Sequence, residues 1–422
     1  MAATAAAKQD MTAVRWRVMA ALFVLSFVTI VDRVAISSAK NDMAAELRIT
    51  DVTFGVVFGA FAIGYAIFML PSGWLADRWG PRKFLAATVA CWSLFTFGTG
   101  LVSIVSVLIA IRFLFGAAEA GAYPTAARAL YGWLPVRERG LALGLMNTGS
   151  RLGAAIGLMA VSASVAAVGW RASFFALGLL GFVWAAWWYG WFRDDPREKP
   201  GVSPAELQWI GAPGAAQSVA KGEAGWRHLV TRDSAFLLVQ YFASNFTFFI
   251  CFSWLLPYLR SQFGLGLHEA GVWASVPLYC GALATWTSGL AVDALYRRGR
   301  WTQSRRLPAI AGFSLAVVML AVAPHMQTVG GFVACFAITT FGIDFTLSPS
   351  WSVASDLGGR RTGTLSAAMN TFGSTGSFAS SVLFPILLGW TGSIQAHFLL
   401  AAVLDVAAVL CWLGIRPAGR KT

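Results

Sequence analysis

Apolar stretches long enough to cross a bilayer recur through the whole chain, at about 16–38, 52–74, 82–102, 105–128, 140–165, 171–192, 234–258, 270–293, 307–325, 328–352, 363–388 and 393–415. Each holds about 19–26 residues, and a helix needs about 20 to cross a hydrocarbon core about 30 Å thick. Within hydrocarbon every backbone amide must find its partner inside the protein, so runs of this length read as helices. The expected fold is an all-α integral membrane protein with twelve transmembrane helices, here spans 1 to 12. Composition agrees: 57% of the 422 residues are hydrophobic and only 12% are charged, about half the charge of a soluble chain. Nineteen Trp and 31 Phe suit a chain whose rings collect at membrane interfaces.

The formal net charge of +13 raises the question of nucleic acid, and the placement of the charge answers it. Twelve spans put both termini on one side. That side, counting the N-terminus, the even-to-odd loops and the C-terminal tail, holds 24 of the 32 Lys and Arg. The opposite face holds Lys40, Arg48, Arg171 and Arg260. The excess is therefore a topology signal: both termini are expected in the cytoplasm, with the chain in the inner (plasma) membrane and no nucleic-acid partner. The start, MAATAAAKQDMTAVRWR, is polar and basic without an early cleavage site, so span 1 is expected to remain in the mature protein. Five scattered cysteines without paired spacing read as packing residues. His268, His325 and His397 show no ligand spacing, so neither metal nor cofactor is expected.

A polar stretch at about 193–233, with Pro196, Pro200, Pro204 and Pro213 among clustered charges, reads as a linker carrying a short helix at Pro204–Ile210. It separates an N-terminal six-helix bundle, 1–192, from a C-terminal one, 234–422. The two resemble each other. Gly73-x-x-x-Asp77 recurs as Gly289-x-x-x-Asp293, and Gly140, Met146-Asn147-Thr148 and Gly153 match Gly363, Met369-Asn370-Thr371 and Gly376 at one constant offset. Two matches at equivalent spans favour a duplicated unit with a site at the interface between pseudo-symmetric halves.

Six charged residues inside the spans are singled out: Asp32, Arg33, Arg112, Glu119, Arg151 and Asp344. Each costs about 2.5–3.5 kcal/mol at a helix centre on insertion scales, so such groups face one another or a water-filled cavity. Three acids and three arginines would leave a cluster near neutral. Seven residues separate Arg112 from Glu119, which places both on one helix face about 10 Å apart. Arg112 can pair with Asp32 or with Glu119. Asp344 is either a further proton site or the neutralising partner of Arg151, and the pairing is preferred. This pattern points to transport.

The loop after span 2 reads Gly73-Trp74-Leu75-Ala76-Asp77-Arg78-Trp79-Gly80-Pro81-Arg82-Lys83. It resembles the cytoplasmic gating signature of the major facilitator superfamily, with Pro81 as a departure. Asp32-Arg33 in span 1, Arg112-x-x-x-Gly116-x-x-Glu119 in span 4, Gly169-Trp170-Arg171, and Arg193-Asp194-x-Pro196 with Pro200, Ser203 and Glu206 resemble the anion:cation symporter branch of that family, over nearly the whole chain. Its members include carriers of hexuronates, galactonate, glucarate and sialic acid. The resemblance implies two six-helix bundles, Gly73, Asp77, Arg78, Gly80, Arg82 and Lys83 as a gating latch, Asp32 and Glu119 as protonation sites with Arg112 as exchange partner, and Arg33 on the substrate carboxylate. It also implies substrate contacts at Tyr65 and at Ser348 with Trp351. Asn147, Arg151 and Asn370 join them as polar groups in spans 5 and 11. Where the branch often has Gln, this chain has Met69, which leaves aromatic and dicarboxylic acids open beside sugar acids.

The expectation is a monomeric, proton-coupled importer of a small organic anion, with a hexuronate or aldonate favoured. Anion exchange and sodium coupling are alternatives within transport, and a non-transporting anion sensor is an alternative of another class. Gly149, Gly153 and Gly157 form a small-residue packing stripe without the extended motif of drug/proton antiporters, which counts against efflux. No phosphate-cradling loop, hydrolytic pair or redox motif appears, so neither an ATP-driven pump nor an enzyme is expected.

Overall fold

The computed structural model describes residues 11–211, 231–358 and 362–416. Within them the side chains of Asp77 and Asn147, among others, lie outside the described set. Nine helical stretches among the described residues are long and apolar enough to cross a membrane. Three further crossings complete twelve. Gly169, at φ 82°, divides Val136–Trp191 into spans 5 and 6. Gly80, at φ 75°, divides Asp51–Thr99 into spans 2 and 3, and Leu267–Arg297 forms span 8. The fold is the expected all-α membrane architecture of two six-helix bundles.

Glycine stripes set the closest packing in both halves. A Cβ on Gly153 would lie 2.5 Å from the Phe27 carbonyl oxygen of span 1. At the equivalent place in the second half, Gly376 of span 11 meets the Phe242 carbonyl of span 7 just as closely. Without an apolar driving force between helices in lipid, such close backbone approach supplies the association energy. The repeat read from the sequence is thus a repeat of packing. One apolar cluster, with Trp92, Trp133 and Trp188 fully buried, sits inside the first half, and another around Phe313, Val353 and Trp412 inside the second.

The halves meet at the end remote from the termini. Ser37 donates to the carbonyl of Ser253 at 2.8 Å, and Arg260 pairs with Asp42 at 3.3 Å. Span 7 bulges into a π-turn at Ile250–Trp254. The turn carries the Trp254 ring to 5.2 Å centroid distance from Phe58 of span 2 and 5.2 Å from Phe384 of span 11. A π-turn inserts an extra residue per turn and commonly marks a functional site.

The terminus side is knit by side chains from the stretch after span 6. The helix Pro204–Ile210 has the predicted bounds. Its fully buried Glu206 accepts hydrogen bonds from the amides of Val14 and Arg15 and from the Arg15 guanidinium, neutralising the open N-terminus of span 1. Asp194 does the same for span 3: it accepts the Arg82 amide at 2.8 Å. Burial holds its carboxyl above the usual carboxylate range. Arg82 also donates to the Tyr189 carbonyl at 2.9 Å. Gly73, by contrast, has open space where a Cβ would be.

These two glycines make opposite predictions. A Cβ at Gly80 would take a left-handed backbone and come 2.6 Å from the Asp194 carboxylate, so Gly80→Ala is expected to cost about 1–3 kcal/mol. Gly73→Ala fills empty space inside a helix and is expected to cost nothing or to gain up to about 1 kcal/mol. Thermal unfolding of the two purified variants in detergent checks both signs.

Candidate functional site

All six charged groups singled out in the spans lie inside the protein. Asp32 is 1% exposed and Glu119 is fully buried. Four of them, from spans 1 and 4, form a quartet in the first half. Arg33 donates from Nε to Oε1 of Glu119 and pairs with the same oxygen through Nη2. The guanidinium lies 4.9 Å from the Tyr65 ring centroid and 5.0 Å from that of Phe61. Arg112 faces Phe61 and Phe115 at 5.4 and 4.8 Å, and its Nε has no hydrogen-bond acceptor. Neither oxygen of Asp32 has a partner; the indole N–H of Trp92 approaches it without closing a hydrogen bond. Glu119, expected from helical spacing to share a face with Arg112, is held instead by Arg33 from the neighbouring span.

The remaining two groups pair between the halves. Arg151 of span 5 donates from Nη2 to Oδ1 of Asp344 in span 10 at 2.7 Å, and its guanidinium lies 5.2 Å from the Phe248 ring of span 7. The preferred partner for Asp344 is the one it has. A Cβ at Gly281 of span 8 would collide with the Asp344 carboxylate, so the glycine leaves the acid its room.

Local backbone places both acids alike. Span 4 is interrupted after Val105–Glu119, resuming at Ala122–Trp133. Span 10 is interrupted after Val329–Phe345, resuming at Leu347–Gly358. Glu119 and Asp344 therefore sit at the same relative place in equivalent spans, each at the C-terminal end of a helical piece. That end carries partial negative charge, so a carboxylate there calls for a cation. Each acid has an arginine.

Two tyrosines that sequence reasoning missed connect the pairs. Tyr123 of span 4 shares a hydrogen bond with Ser150, which precedes Arg151, and lies within electrostatic range of Arg33. Tyr241 of span 7 lies within electrostatic range of Arg151 and Tyr65. Tyrosine carries no formal charge to count, and only its place beside paired ions reveals it. Of the other expected residues, Asn370 donates back to the Ser366 carbonyl of its own helix at 3.1 Å. Ser348 is half-buried and Trp351 is 43% exposed. Sequence reasoning also passed over Asp405, fully buried in span 12, whose two oxygens both lie 3.0–3.1 Å from the Thr247 hydroxyl.

The chain is similar to known proteins over nearly its whole length. Residues 22–381 fit the family model described as Major Facilitator Superfamily. The chain is 32% identical over 408 residues, 96% of its length and 94% of the relative's, to a probable sulfoacetate transporter of Cupriavidus necator. It is 29% identical over 421 residues, 95% and 92% of the two chains, to a probable galactarate/D-glucarate transporter of Bacillus subtilis. A hexuronate transporter of Bacillus subtilis is 27% identical over 402 residues, 94% and 93% of the two chains. In fold, it is similar to the crystal structure of a bacterial homolog of the human lysosomal transporter Spinster in an inward-facing and occupied conformation. The TM-score is 0.78 at 16% identity, over 95% of this chain and 96% of that one.

Removing one member of a buried pair leaves the other charge uncompensated, at a cost of about 3–5 kcal/mol. Arg33→Ala is therefore expected to lower the thermal midpoint sharply, and adding Glu119→Gln to recover most of the loss. A double-mutant cycle of midpoints in detergent, with no recovery in the double variant, would contradict the pairing.

Proposed function

The chain belongs to the Major Facilitator Superfamily, in its anion:cation symporter branch, and from that premise we propose that it imports a small organic anion together with protons. The observation that carries the reading is the buried Arg33–Glu119 pair, with the arginine 17% exposed and the acid 0%. An anion can approach the arginine while the carboxylate behind it stays shielded. When the substrate's acidic group takes Arg33, Glu119 loses its cation in a low-dielectric site. A carboxylate so stripped is favoured in its neutral form. Substrate binding and protonation thereby become one exchange of partners, with Asp32 as a second acid beside it and Arg112 as the cation that either acid can take. Tyr65, Asn147, Arg151, Ser348, Trp351 and Asn370 would complete the substrate's surroundings.

Proton coupling answers an energetic demand. An anion entering a negative cell moves against about 2.3 kcal/mol per charge per 100 mV, and protons in excess of the substrate's charge reverse the sign. Alternating access would follow from rocking residues 1–192 against 234–422, with 193–233 as the cytoplasmic connection. The contacts at Ser37, Asp42 and Trp254 form one closed end, and the Gly73–Lys83 segment would latch the other. In the expected orientation both termini are cytoplasmic and the unit is a monomer. The relatives' names span sulfoacetate, sugar diacids and hexuronates, and a small sugar acid or related organic anion is the substrate class this supports.

Reconstituted into liposomes, the protein is expected to take up its anion faster under an inward proton gradient. An uncoupler should abolish the gain, and replacement of sodium by choline at fixed pH should leave it intact. Glu119→Gln is expected to lose proton-driven uptake by about two orders of magnitude while retaining counterflow exchange. Uptake indifferent to the uncoupler, with Glu119→Gln equal to wild type, would remove proton symport; dependence on sodium would replace it with sodium coupling.

A further inference from the structure

We propose that the substrate is a dianion, gripped at one acidic group by Arg33 and at the other by Arg151, and that its singly charged analogues are rejected. The inference rests on the anion-carrier reading and specifies its substrate class.

Two acid–arginine pairs are built to one plan. Each acid lies at the end of the first piece of an interrupted span, Glu119 as the last residue in span 4 and Asp344 as the last but one in span 10. Each acid is almost wholly enclosed, 0% and 2% exposed, while its arginine is 17% and 21% exposed. Arg112, the third buried arginine, is only 4% exposed and is walled by Phe61 and Phe115. Two guanidiniums therefore remain for a ligand.

The two arginines are linked through tyrosines. Tyr123 ties them together, being hydrogen-bonded beside Arg151 and near Arg33. Tyr65 and Tyr241 continue the lining from one arginine to the other. A ligand with one acidic end at each guanidinium would lie along these tyrosines.

The selectivity has a physical source. To leave Asp344, Arg151 must be offered a replacement of equal charge, because hydrogen bonds between ionised partners are about twice as strong as neutral ones. A hydroxyl offered in place of a carboxylate or sulfonate leaves the Arg151–Asp344 bond intact. That bond joins the first half to the second, so a monoanion bound at Arg33 leaves the halves pinned. Only a ligand charged at both ends exchanges both pairs.

The test compares matched ligands on the purified full-length protein. Sulfoacetate, malonate, succinate and glucarate are each set against the analogue with one acidic group replaced by CH2OH: isethionate, 3-hydroxypropionate, 4-hydroxybutyrate and gluconate. Thermal shift and calorimetric titration give the affinities. At least one dianion is expected to bind about tenfold or more tightly than its analogue, a difference of about 1.4 kcal/mol. In the double variant Arg151→Gln/Asp344→Asn, which leaves no unpaired charge behind, that advantage is expected to vanish, the dianion binding no more tightly than its analogue. Asp344→Asn alone, which frees Arg151, is expected to tighten the dianion several-fold. Equal binding of the two classes by wild type, or an advantage surviving in the double variant, overturns the inference. If singly charged anions bind equally well and still depend on Arg33, the carrier reading stands and only the dianion claim falls. If no anion in the panel binds, both fall together.

Discussion

A carboxylate inside hydrocarbon must either find a cation or give up its charge, and this molecule is arranged around that requirement. Glu119 and Asp344 sit where their helices end and where the backbone itself is negative. Each is compensated by an arginine from a different span, Arg33 and Arg151. Both pairs depend on helices brought close enough for side chains to reach across. Charge compensation and helix packing are in this sense one constraint: loosening the packing would separate the ions.

The architecture was legible because hydrocarbon thickness imposes a length on every crossing. Twelve apolar runs, the duplicated glycine motifs and the short helix at Pro204–Ile210 all appear in the structure where the sequence placed them. The ion pairs were legible only in part. Helical periodicity says which residues share a face, and it left Arg112 open to either Asp32 or Glu119. It says nothing about how far one helix is rotated against the next, and that rotation gives Glu119 to Arg33 instead. The Arg151–Asp344 pair, the preferred of two readings left open for Asp344, is present. Tyr123 and Tyr241 escaped notice because an aromatic residue in an aromatic-rich membrane chain carries no distinguishing mark. Asp194 did too as a helix cap: it lay in what read as a polar linker, 112 residues from the amide it accepts.

The contacts between halves differ in kind along the membrane normal. At the end remote from the termini they combine an edge-to-face ring pair, an ion pair and a hydroxyl-to-carbonyl bond. Elsewhere the described polar links between the halves include the Trp286 indole donating to Thr148 and, midway, the Arg151–Asp344 pair. A ring cluster is held by dispersion and shape and resists small changes of charge. An ion pair responds directly to a competing ion. Sensitivity to a charged ligand is thus concentrated at mid-depth, and the π-turn of span 7 lies just beyond Phe248, whose ring sits against Arg151.

Glu206 has a bearing on how the molecule is made. The amides opening the first membrane helix are satisfied by a carboxylate about 190 residues later in the chain. During synthesis, span 1 therefore enters the bilayer with that end unfinished. It acquires its final cap only after the sixth span has been threaded and the following segment has left the ribosome. The N-terminal bundle closes on itself like a buckle, and the tongue is the last part to arrive.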